Sequence, residues 1–507
     1  MFDGSAKLKG KPSLNECLYS GQCLLNLIFS ILLRFQMFPI GVISDIKQAF
    51  LNVGIAKNHR DYLRFLWFDD VFSKNPNIII FRFLRVLFGL VCSPFLLNAT
   101  IQLHMNQPGV YDPAFVQQFL RDLYIDDSTV GVHSNEEGFK FHQKAKSAMK
   151  DAGFDLRKWA SNSKDLIRRI CKREGVEYHE EDVVKGVLGL QWDTLSDTFV
   201  FSFLNLLSET VGVTPTKRFI LRIAASFYDP IGWIIPIIIQ ARIIFQSVCK
   251  TKVDWDDSLN DEIVAEWENV LRNLGASQCI RIDRYVFSTL PGRFSSVELF
   301  RFSDASKKAY AAVCYVKVSN EHGAVTRIIT AKAKVAPLKL YSVPRLELLA
   351  CLLLSCLITK VRNTFKGVID ISRTICWTDS EICLHWINGV DKQWKCWVEN
   401  RANKIREVKV DGWRYVPSKL NPADIPTKNI EFECILKQNE LWWKGPPFLL
   451  KDSSNWPVKN IVLTSLMTAE VSKELNVKDD VTQCLTVNNN STAEVEKIIT
   501  VEITALN

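Results

Sequence analysis

Two adjacent carboxylates, Asp126 and Asp127, are the first candidates for chemistry in this sequence. Apolar runs at residues 119–123 and 128–132 flank them and predict a β-hairpin with both acids at its tip. Neighbouring carboxylates repel each other, so such a tip is either a solvated acidic turn or a cation site. A third acid, Asp45, ends an apolar strand pattern. Three acids in these settings favour a site for divalent ions.

Four further acids each stand at the boundary of an expected strand or helix: Asp304, Glu347, Asp379 and Asp424. Pro344 opens the helix that should carry Glu347 in its first turn. Ser380 can cap the helix that follows the strand ending in Asp379. Any one of these acids alone is most simply a helix cap or a surface residue. Four acids in the order Asp, Glu, Asp, Asp, each at such a boundary, are much harder to explain in that way.

Composition describes a globular chain of two to four domains, because 507 residues with 47% apolar and 23% charged residues can bury proper cores. The formal charge of +8 is compatible with a phosphate-bearing partner without establishing one. Fourteen cysteines are scattered with no C-x-x-C pair. That spacing argues against a zinc module or a disulfide framework and favours thiols in a reducing compartment.

Two apolar runs are too short or too interrupted to cross a membrane. Residues 23–33 include Asn26, and residues 233–245 are broken by Pro236 and Arg242. Both runs predict buried helices, and no signal peptide opens the sequence. We therefore expect no membrane partner, no secretion, and an intracellular location in a cytoplasmic particle or the nucleus.

The motifs resemble those of reverse transcriptases. Residues 124–127 are similar to the x-x-Asp-Asp signature of these enzymes, and the surroundings of Asp45 resemble their first catalytic block. Residues 88–100 and 156–163 resemble the Pao (Bel-Pao) class of long-terminal-repeat retrotransposons. The resemblance extends from about residue 2 to about residue 450. It implies a reverse transcriptase and ribonuclease H region of a retroelement polyprotein.

The fold implied by this resemblance is α/β (α+β) and multidomain, with a right-hand polymerase palm and thumb followed by a ribonuclease H-like mixed sheet with helices. The expected divisions are partial fingers and palm at 1–165, primer grip, thumb and connection at 166–285, a ribonuclease H-like domain at 286–430, and a linker or tail at 431–507. Because only 44 residues precede Asp45, most of the first fingers segment is expected to be missing.

The tail is expected to be a link, because residues 441–447 resemble the stretch that leads toward an integrase. Residues 451–507 contain no histidine and one cysteine, Cys484. Integrase and aspartic protease domains are therefore expected to be absent, and residues 488–492 are expected to form a loop.

Five residues match positions that contact the nucleotide in the family: Phe50, Gly89, Ser93, Pro94 and Lys158. The ring of Phe50 would exclude a 2′-hydroxyl, or would simply fill the core. Gly89, Ser93 and Pro94 would cradle the nascent base pair. Lys158 would lie in a loop near the pyrophosphate, although an isolated lysine is more often solvated.

Residues 187–192 and 198–201 predict two arms of a hairpin that resembles the primer grip. Its residues by resemblance are Leu188, Gly189, Leu190, Gln191 and Trp192. Proline-broken helices are expected over 214–250, as a thumb, and a further helix over 255–274 with Gly275 as its C-terminal cap.

By resemblance the palm site is Asp45, Asp126 and Asp127, and the ribonuclease H site is the later set of four acids. Each would hold two Mg²⁺ ions, with Mn²⁺ as a substitute. The implied partners are an RNA template, a DNA primer, an RNA–DNA hybrid and deoxynucleoside triphosphates, while the oligomeric state stays open. Residues 408–420 contain no histidine, so the mobile histidine of some relatives is expected to be absent. The alternative function is a catalytically idle or domesticated nucleic-acid-binding relic.

Overall fold

The computed structural model describes residues 3–179, 183–276, 279–290, 292, 295–390, 393–428, 439–459 and 465–475. The chain divides into two compact units. The first comprises Met1–Phe199 and Ile282–Tyr285, and the second comprises Val200–Arg281 and Val286–Asn507. Within the described ranges, no helix is both long and apolar enough to cross a membrane. The loop predicted at 488–492 lies outside the described residues.

The first unit contains both helices and strands. Its helices are α1 (Leu14–Cys17), α2 (Ile28–Phe35), α3 (Ser93–Met105), α4 (Pro113–Arg121), α5 (Asn135–Asp151) and α6 (Lys164–Glu174), with 3₁₀ turns at Ala49–Asn52 and Lys57–Tyr62. Its strands are β1 (Ile40–Ile46), β2 (Arg64–Phe68), β3 (Ile78–Arg82), β4 (Leu123–Tyr124), β5 (Asp127–Val132), β6 (Leu156–Ser161), β7 (Val184–Val187) and β8 (Leu190–Asp193). The chain passes between the units within β9 (Thr198–Ser202) and β10 (Cys279–Asp283).

A four-stranded sheet with the order β4-β5-β1-β6 organises the first unit. β1 is antiparallel to both of its neighbours, and its residue Asp45 stands opposite Asp127 of β5. Val42 and Ile46 of β1 and Val130 of β5 are buried in one apolar cluster, which also includes residues of α3, α4, α5 and α6. The acids therefore lie on strands that this core holds in place.

The acidic hairpin differs from its prediction on one side, where a helix replaces most of the expected first strand over residues 119–123. Asp112 caps α4 by accepting a hydrogen bond from the Ala114 amide, and Pro113 occupies the first helical position. Phe115 and Phe119, four residues apart, are both buried. Helical spacing therefore determines this segment, and only the two residues of β4 pair with β5.

The predicted primer-grip hairpin is also tighter than expected. β7 and β8 are joined by Leu188 and Gly189, whose φ angles of 48° and 87° are both positive. Two positive φ angles in a two-residue connection are typical of a type I′ turn. Residues 187–192 therefore contain a hairpin themselves, and its second strand, β8, is also the neighbour of β9, as the predicted hairpin requires. The sheet here has the order β10-β9-β8-β7.

The second unit also contains both helices and strands. Its helices are α7 (Leu204–Ser208), α8 (Lys217–Ser226), α9 (Ile235–Lys250), α10 (Asp261–Ala276), α11 (Val343–Phe365), α12 (Glu381–Asn388), α13 (Cys396–Glu407), α14 (Asp424–Thr427), α15 (Glu440–Lys444) and α16 (Ser465–Lys473). Its strands are β11 (Ser296–Ala305), β12 (Ala309–Asn320), β13 (Gly323–Val335), β14 (Arg373–Thr378) and β15 (Gly412–Tyr415). Short 3₁₀ turns lie at Ser418–Leu420, Pro447–Leu450 and Ser453–Asn455.

Five strands of the second unit form a mixed sheet with the order β13-β12-β11-β14-β15. β11, β12 and β13 are antiparallel, whereas β14 and β15 run parallel to β11. Helix α11 packs beside β11, where Cys351 Sγ lies 3.5 Å from Ser303 Oγ. The predicted α/β class, with a mixed sheet and helices after the first unit, is confirmed.

The helix predicted at 255–274 begins later and ends later. Asn260 accepts a hydrogen bond from the Ile263 amide and starts α10, with Asp261 and Glu262 in its first turn. The helix continues to Ala276, so Gly275 is a helical residue and not the predicted cap. The helical segment predicted at 214–250 is broken as expected, at residues 227–234 between α8 and α9.

Residues 439–459 pack into the second unit, although the sequence indicated a link. Trp442 is fully buried, and its Nε1 donates a hydrogen bond to the Trp233 carbonyl at 3.0 Å. Tyr315 in turn donates from its hydroxyl to the Trp442 carbonyl at 2.7 Å. Phe448 and Trp456 contact the ring of Trp377, with centroid distances of 5.0 and 5.8 Å. These residues are part of the second unit's core.

Candidate metal centre and acidic hairpin

Three carboxylates converge in the second unit. Asp304 lies near the end of β11, Asp379 directly follows β14, and Asp424 begins α14. Because β11 and β14 are parallel neighbours, their carboxyl ends meet at one edge of the sheet. One oxygen from each acid lies within 4.8 Å of the others. Over the described parts of the chain, this is the one group of three or more Asp, Glu, His or Cys residues with such spacing.

Hydroxyl and amide groups orient two of these acids. Thr427 Oγ1 donates a hydrogen bond to Asp304 Oδ2. Ser418 Oγ donates to Asp379 Oδ2 at 2.6 Å, and Asn421 Nδ2 lies 3.4 Å from Asp379 Oδ1. These three contacts give the two carboxylates a fixed direction, as a metal ligand requires. The polar neighbours were missed by the sequence reasoning, although Thr427 follows Asp424 by three helical positions.

Asp424 is held differently. Lys428, one helical turn later, forms an ion pair with Asp424 Oδ2. The other oxygen, Oδ1, is buried and has no hydrogen-bond partner among the described residues. An orphaned buried carboxylate oxygen is costly unless a cation or a proton serves it. Together with the spacing of the three acids, this oxygen fits a site for a divalent ion.

Glu347 is not one of the three acids whose oxygens lie within 4.8 Å of one another. It is the fifth residue of α11 and so lies just beyond the predicted first turn. Ser380 Oγ donates a hydrogen bond to Glu347 Oε2 at 2.5 Å and also accepts one from the Cys383 amide. The predicted cap Ser380 therefore connects the start of α12 to Glu347.

Burial and mutual repulsion raise the pKa values of three of these acids, Asp304, Glu347 and Asp379. Burial, followed by the charges of Asp379 and Asp424, raises the pKa of Asp304 to about 8. Burial raises the pKa of Glu347 to about 7, with a smaller contribution from Asp379. Burial is also the main cause of the raised pKa of Asp379. Such crowding is typical of carboxylates that share a metal ion.

We predict that Mg²⁺ stabilises the protein more at about pH 8.5 than at about pH 6, because metal binding requires ionised ligands. Asp304 and Glu347 hold protons more tightly when folded. Their contribution to stability is therefore complete below their unfolded pKa and is lost as the pH rises through about 7 to 8. Thermal unfolding with EDTA or excess Mg²⁺ at both pH values measures the effect. Equal Mg²⁺-induced shifts at both would contradict it.

In the first unit, the Asp-Asp pair lies where the hairpin turns. Asp126 is in the turn after Ile125, whose φ is +53°, and the Asp126 carbonyl accepts a hydrogen bond from the Ile46 amide at 2.9 Å. Burial, then the charges of Asp126 and Asp45, raises the pKa of Asp127 to about 6. Burial also raises the pKa of Asp126. The three acids thus influence one another electrostatically without forming a 4.8 Å group.

Two basic side chains form ion pairs with the Asp45 carboxylate. Lys158 Nζ lies 2.8 Å from Asp45 Oδ2, and Arg157 Nε lies 3.3 Å from Oδ1. Lys158 belongs to strand β6, with a φ of +53°, and does not lie in the predicted loop. From the neighbouring strand, Lys158 therefore places its positive charge directly beside the Asp45 carboxylate. A contact of Lys158 with pyrophosphate stays a prediction.

The other predicted nucleotide contacts surround the start of α3. Phe50 is buried, and its ring packs edge-on against Phe88 at 4.6 Å. Gly89 has a φ of +91°. Ser93 donates its hydroxyl to the Leu87 carbonyl at 2.6 Å, and Pro94 lies in the first turn of α3. The structure thus gives Phe50 and Ser93 packing roles, while their contacts with a nucleotide stay predictions.

A residue absent from the sequence-based site holds this loop. Asn15 donates to the Gly89 carbonyl and accepts from the Val91 amide, both at 2.9 Å. Because the contact spans more than seventy positions of sequence, no local pattern signals it.

The primer-grip residues divide between surface and core. Gln191 is exposed, whereas Leu190 and Trp192 are buried. Trp192 Nε1 donates to Asp197 Oδ1 at 3.0 Å, and its ring lies 5.2 Å from that of Phe35. The side chain of Trp192 is therefore a core element, and a contact of this residue with a primer stays a prediction. Gln191 and the Leu188-Gly189 turn also stay predicted contacts.

Comparison with known proteins bears on the second unit. Residues 216–380 match the family model described as the Pao retrotransposon-like RNaseH-like domain. This part of the chain is similar to Pao-type, RNase H-like domains. The Pao-type match includes Asp304, Glu347 and Asp379 and ends before Asp424. It confirms the resemblance to Pao elements predicted from the sequence. No curated protein matches this sequence.

Solved structures similar to the chain are foamy viral protease–reverse transcriptases. One, described as dRH in complex with double-stranded DNA, is 15% identical with a TM-score of 0.47, covering 79% of this chain and 60% of that one. A second, in complex with RNA/DNA hybrid, is 14% identical with a TM-score of 0.47, covering 81% and 48%. A third, with double-stranded DNA, is 14% identical with a TM-score of 0.41, covering 79% and 72%. The chain thus spans less than two thirds of the first two.

Proposed function

We propose that the second unit is a ribonuclease that cuts the RNA strand of an RNA–DNA hybrid. The observation that carries this proposal is the convergence of Asp304, Asp379 and Asp424, one of which has an orphaned buried oxygen. Together with Glu347, these acids would hold two Mg²⁺ ions, or Mn²⁺ as a substitute. Bound divalent ions supply an activated water and charge stabilisation for the departing oxygen.

The chain's own groups would fix the ligands in place. Thr427 and Ser418 direct the oxygens of Asp304 and Asp379, and Ser380 directs Glu347. Lys428, in its ion pair with Asp424, places a positive charge at the edge of the acidic group. Because these contacts already exist before the reaction, the groups need not reorganise during it. Preorganisation of this kind is a usual source of large rate enhancements.

We propose that the first unit is the palm of an RNA-directed DNA polymerase. The support is the pairing of Asp45 with Asp127 across β1 and β5, next to Asp126. By resemblance to the family, the site would take an RNA template, a DNA primer and deoxynucleoside triphosphates with two Mg²⁺ ions. Phe50, Gly89, Ser93 and Pro94 would line the nucleotide site.

A second candidate function is a nucleic-acid-binding relic in which the palm is idle. The ion pairs of Asp45 with Lys158 and Arg157 favour it, because they neutralise one of the three palm acids. We further propose an intracellular location, in a cytoplasmic particle or the nucleus, because the twelve described cysteines are free thiols.

Hybrid cleavage and primer extension, assayed on the same preparation with Mg²⁺ or EDTA, test both proposals. Degradation of labelled RNA in hybrid, but not of single-stranded RNA, supports the ribonuclease. Extension of a DNA primer on an RNA template supports the polymerase. Hybrid binding without either reaction would favour the relic.

Replacing Asp127 by Asn is expected to abolish primer extension and to leave hybrid cleavage within about twofold of wild type. The carboxylate is predicted to bind metal only in the palm, which lies in the first unit. Asp165→Asn, an exposed acid in the first turn of α6, is the matched control. Extension by the Asp127 variant at the control's rate would contradict the palm proposal.

A further inference from the structure

The described residues nearest the C-terminus pack against helices α11 and α12. Val471 of α16 is buried in a cluster that also contains Leu348 of α11 and Ile382 of α12. Leu348 is the neighbour of Glu347, and α12 starts at the Ser380 cap that bonds to Glu347. Helix α16 therefore packs over the pair of helices whose starts bring Glu347 and Ser380 together.

Glu474 makes a two-pronged contact with the start of α11. Arg345 donates from Nε to Glu474 Oε1 at 2.8 Å and from Nη2 to Oε2 at 3.0 Å. The Glu474 side chain is only 10% exposed and that of Arg345 29%. A bidentate, largely buried pair of this kind fixes direction as well as distance. Arg345 lies two positions before Glu347 on the same helix.

Backbone contacts hold Glu474 from the other side. The Lys395 amide donates to the Glu474 carbonyl at 2.7 Å, and Trp394 forms an isolated β-bridge with Leu475. The guanidinium of Arg345 also lies 4.9 Å from the ring centroid of Trp397 in α13. Arg345 is thus held between Glu474 and Trp397, so α11 has little freedom to shift at this end.

We infer that residues 465–475 are a positioning element of the second-unit site, in which Glu474 acts through Arg345 to fix Glu347. The inference rests on the proposed ribonuclease function for its catalytic consequence. Its physical reason is that a displacement of about 1 Å in a catalytic group can cost on the order of a hundredfold in rate. Glu474 itself is a positioning residue, because its carboxylate is bonded to Arg345 and not to the acidic group.

The test uses the full chain with Glu474→Ala and Glu474→Gln. Glu470→Ala is the control, because Glu470 lies on the same helix and pairs with Lys473 at its surface. We expect both Glu474 variants to lower kcat on hybrid by about tenfold or more, with KM within about twofold. Mn²⁺ affinity, measured on the protein alone by electron paramagnetic resonance, should weaken in the same variants. The control should match wild type in all three quantities.

A charge reversal separates positioning from general loss of structure. Combining Glu474→Arg with Arg345→Glu restores the pair and is expected to recover much of the lost kcat and Mn²⁺ affinity. Failure of the reversal, or Glu474 variants that match Glu470→Ala, would overturn the inference. If wild type cleaves no hybrid, the ribonuclease proposal fails, and the Mn²⁺ affinities alone still decide whether Glu474 positions the site.

Discussion

Asp304→Asn is expected to lower hybrid cleavage by a factor on the order of a thousand or more, because one metal ligand contributes several kcal/mol to the transition state. Asn keeps the size of the side chain and an oxygen that can accept from Thr427. It removes the negative charge that Asp379 and Asp424 repel. The metal-free variant should therefore be at least as stable as wild type while losing activity.

Cleavage of labelled hybrid and thermal unfolding with EDTA measure the two effects of Asp304→Asn separately. Asp370→Asn, an exposed acid of the same unit, is the control and should change neither quantity. Asp304→Asn should also abolish the Mg²⁺-induced stabilisation at high pH. Cleavage by this variant at the control's rate would remove Asp304 from the site. Full retention of Mg²⁺ stabilisation would show that the ions bind elsewhere.

The places of the candidate acids in the fold could be predicted from sequence because each acid is tied to a local pattern. Asp379 directly follows an apolar strand and precedes the cap Ser380, and Asp45 lies in a strand of buried residues. Strand ends and helix starts are decided by neighbouring residues, so such positions are readable without a fold. Thr427 and Ser418 carry no comparable pattern, since a hydroxyl near an acid is common anywhere.

Segments whose conformation depends on distant partners were predicted less well. The apolar run at 119–123 is too short for its spacing to indicate either a strand or a helix. In the structure its first residues are helical, and Phe119 is buried in the apolar cluster of the first unit. Trp442 resembled part of a link, yet it bonds to Trp233 from 209 positions away. A piece ending near residue 430 would uncover Trp233 and Trp377, so we do not expect the second unit to fold well without residues 439–459.

At position 232, backbone conformation and the neighbouring backbone favour glycine over any larger residue. It has a φ of +90°, and an added Cβ would lie 1.8 Å from the Ala331 carbonyl oxygen. The surrounding turn is fixed from both sides. Asp229 accepts from the amides of Gly232 and Ile234 at 2.7 and 2.8 Å, and the Ala331 amide donates to the Ile231 carbonyl at 3.1 Å. Neither the turn at Gly232 nor the backbone at Ala331 can move away without breaking these hydrogen bonds.

Gly232→Ala is therefore expected to destabilise the second unit by about 3 to 5 kcal/mol, through left-handed backbone strain and a backbone clash together. Gly275→Ala is the matched control with the opposite sign. Its added Cβ meets nothing within 4 Å, and Gly275 lies inside α10. Alanine there should stabilise by about 0.5 to 1 kcal/mol. Urea unfolding followed by circular dichroism compares both variants with wild type, and a Gly232→Ala protein as stable as the Gly275→Ala protein would show that the turn before α9 can open to admit a side chain.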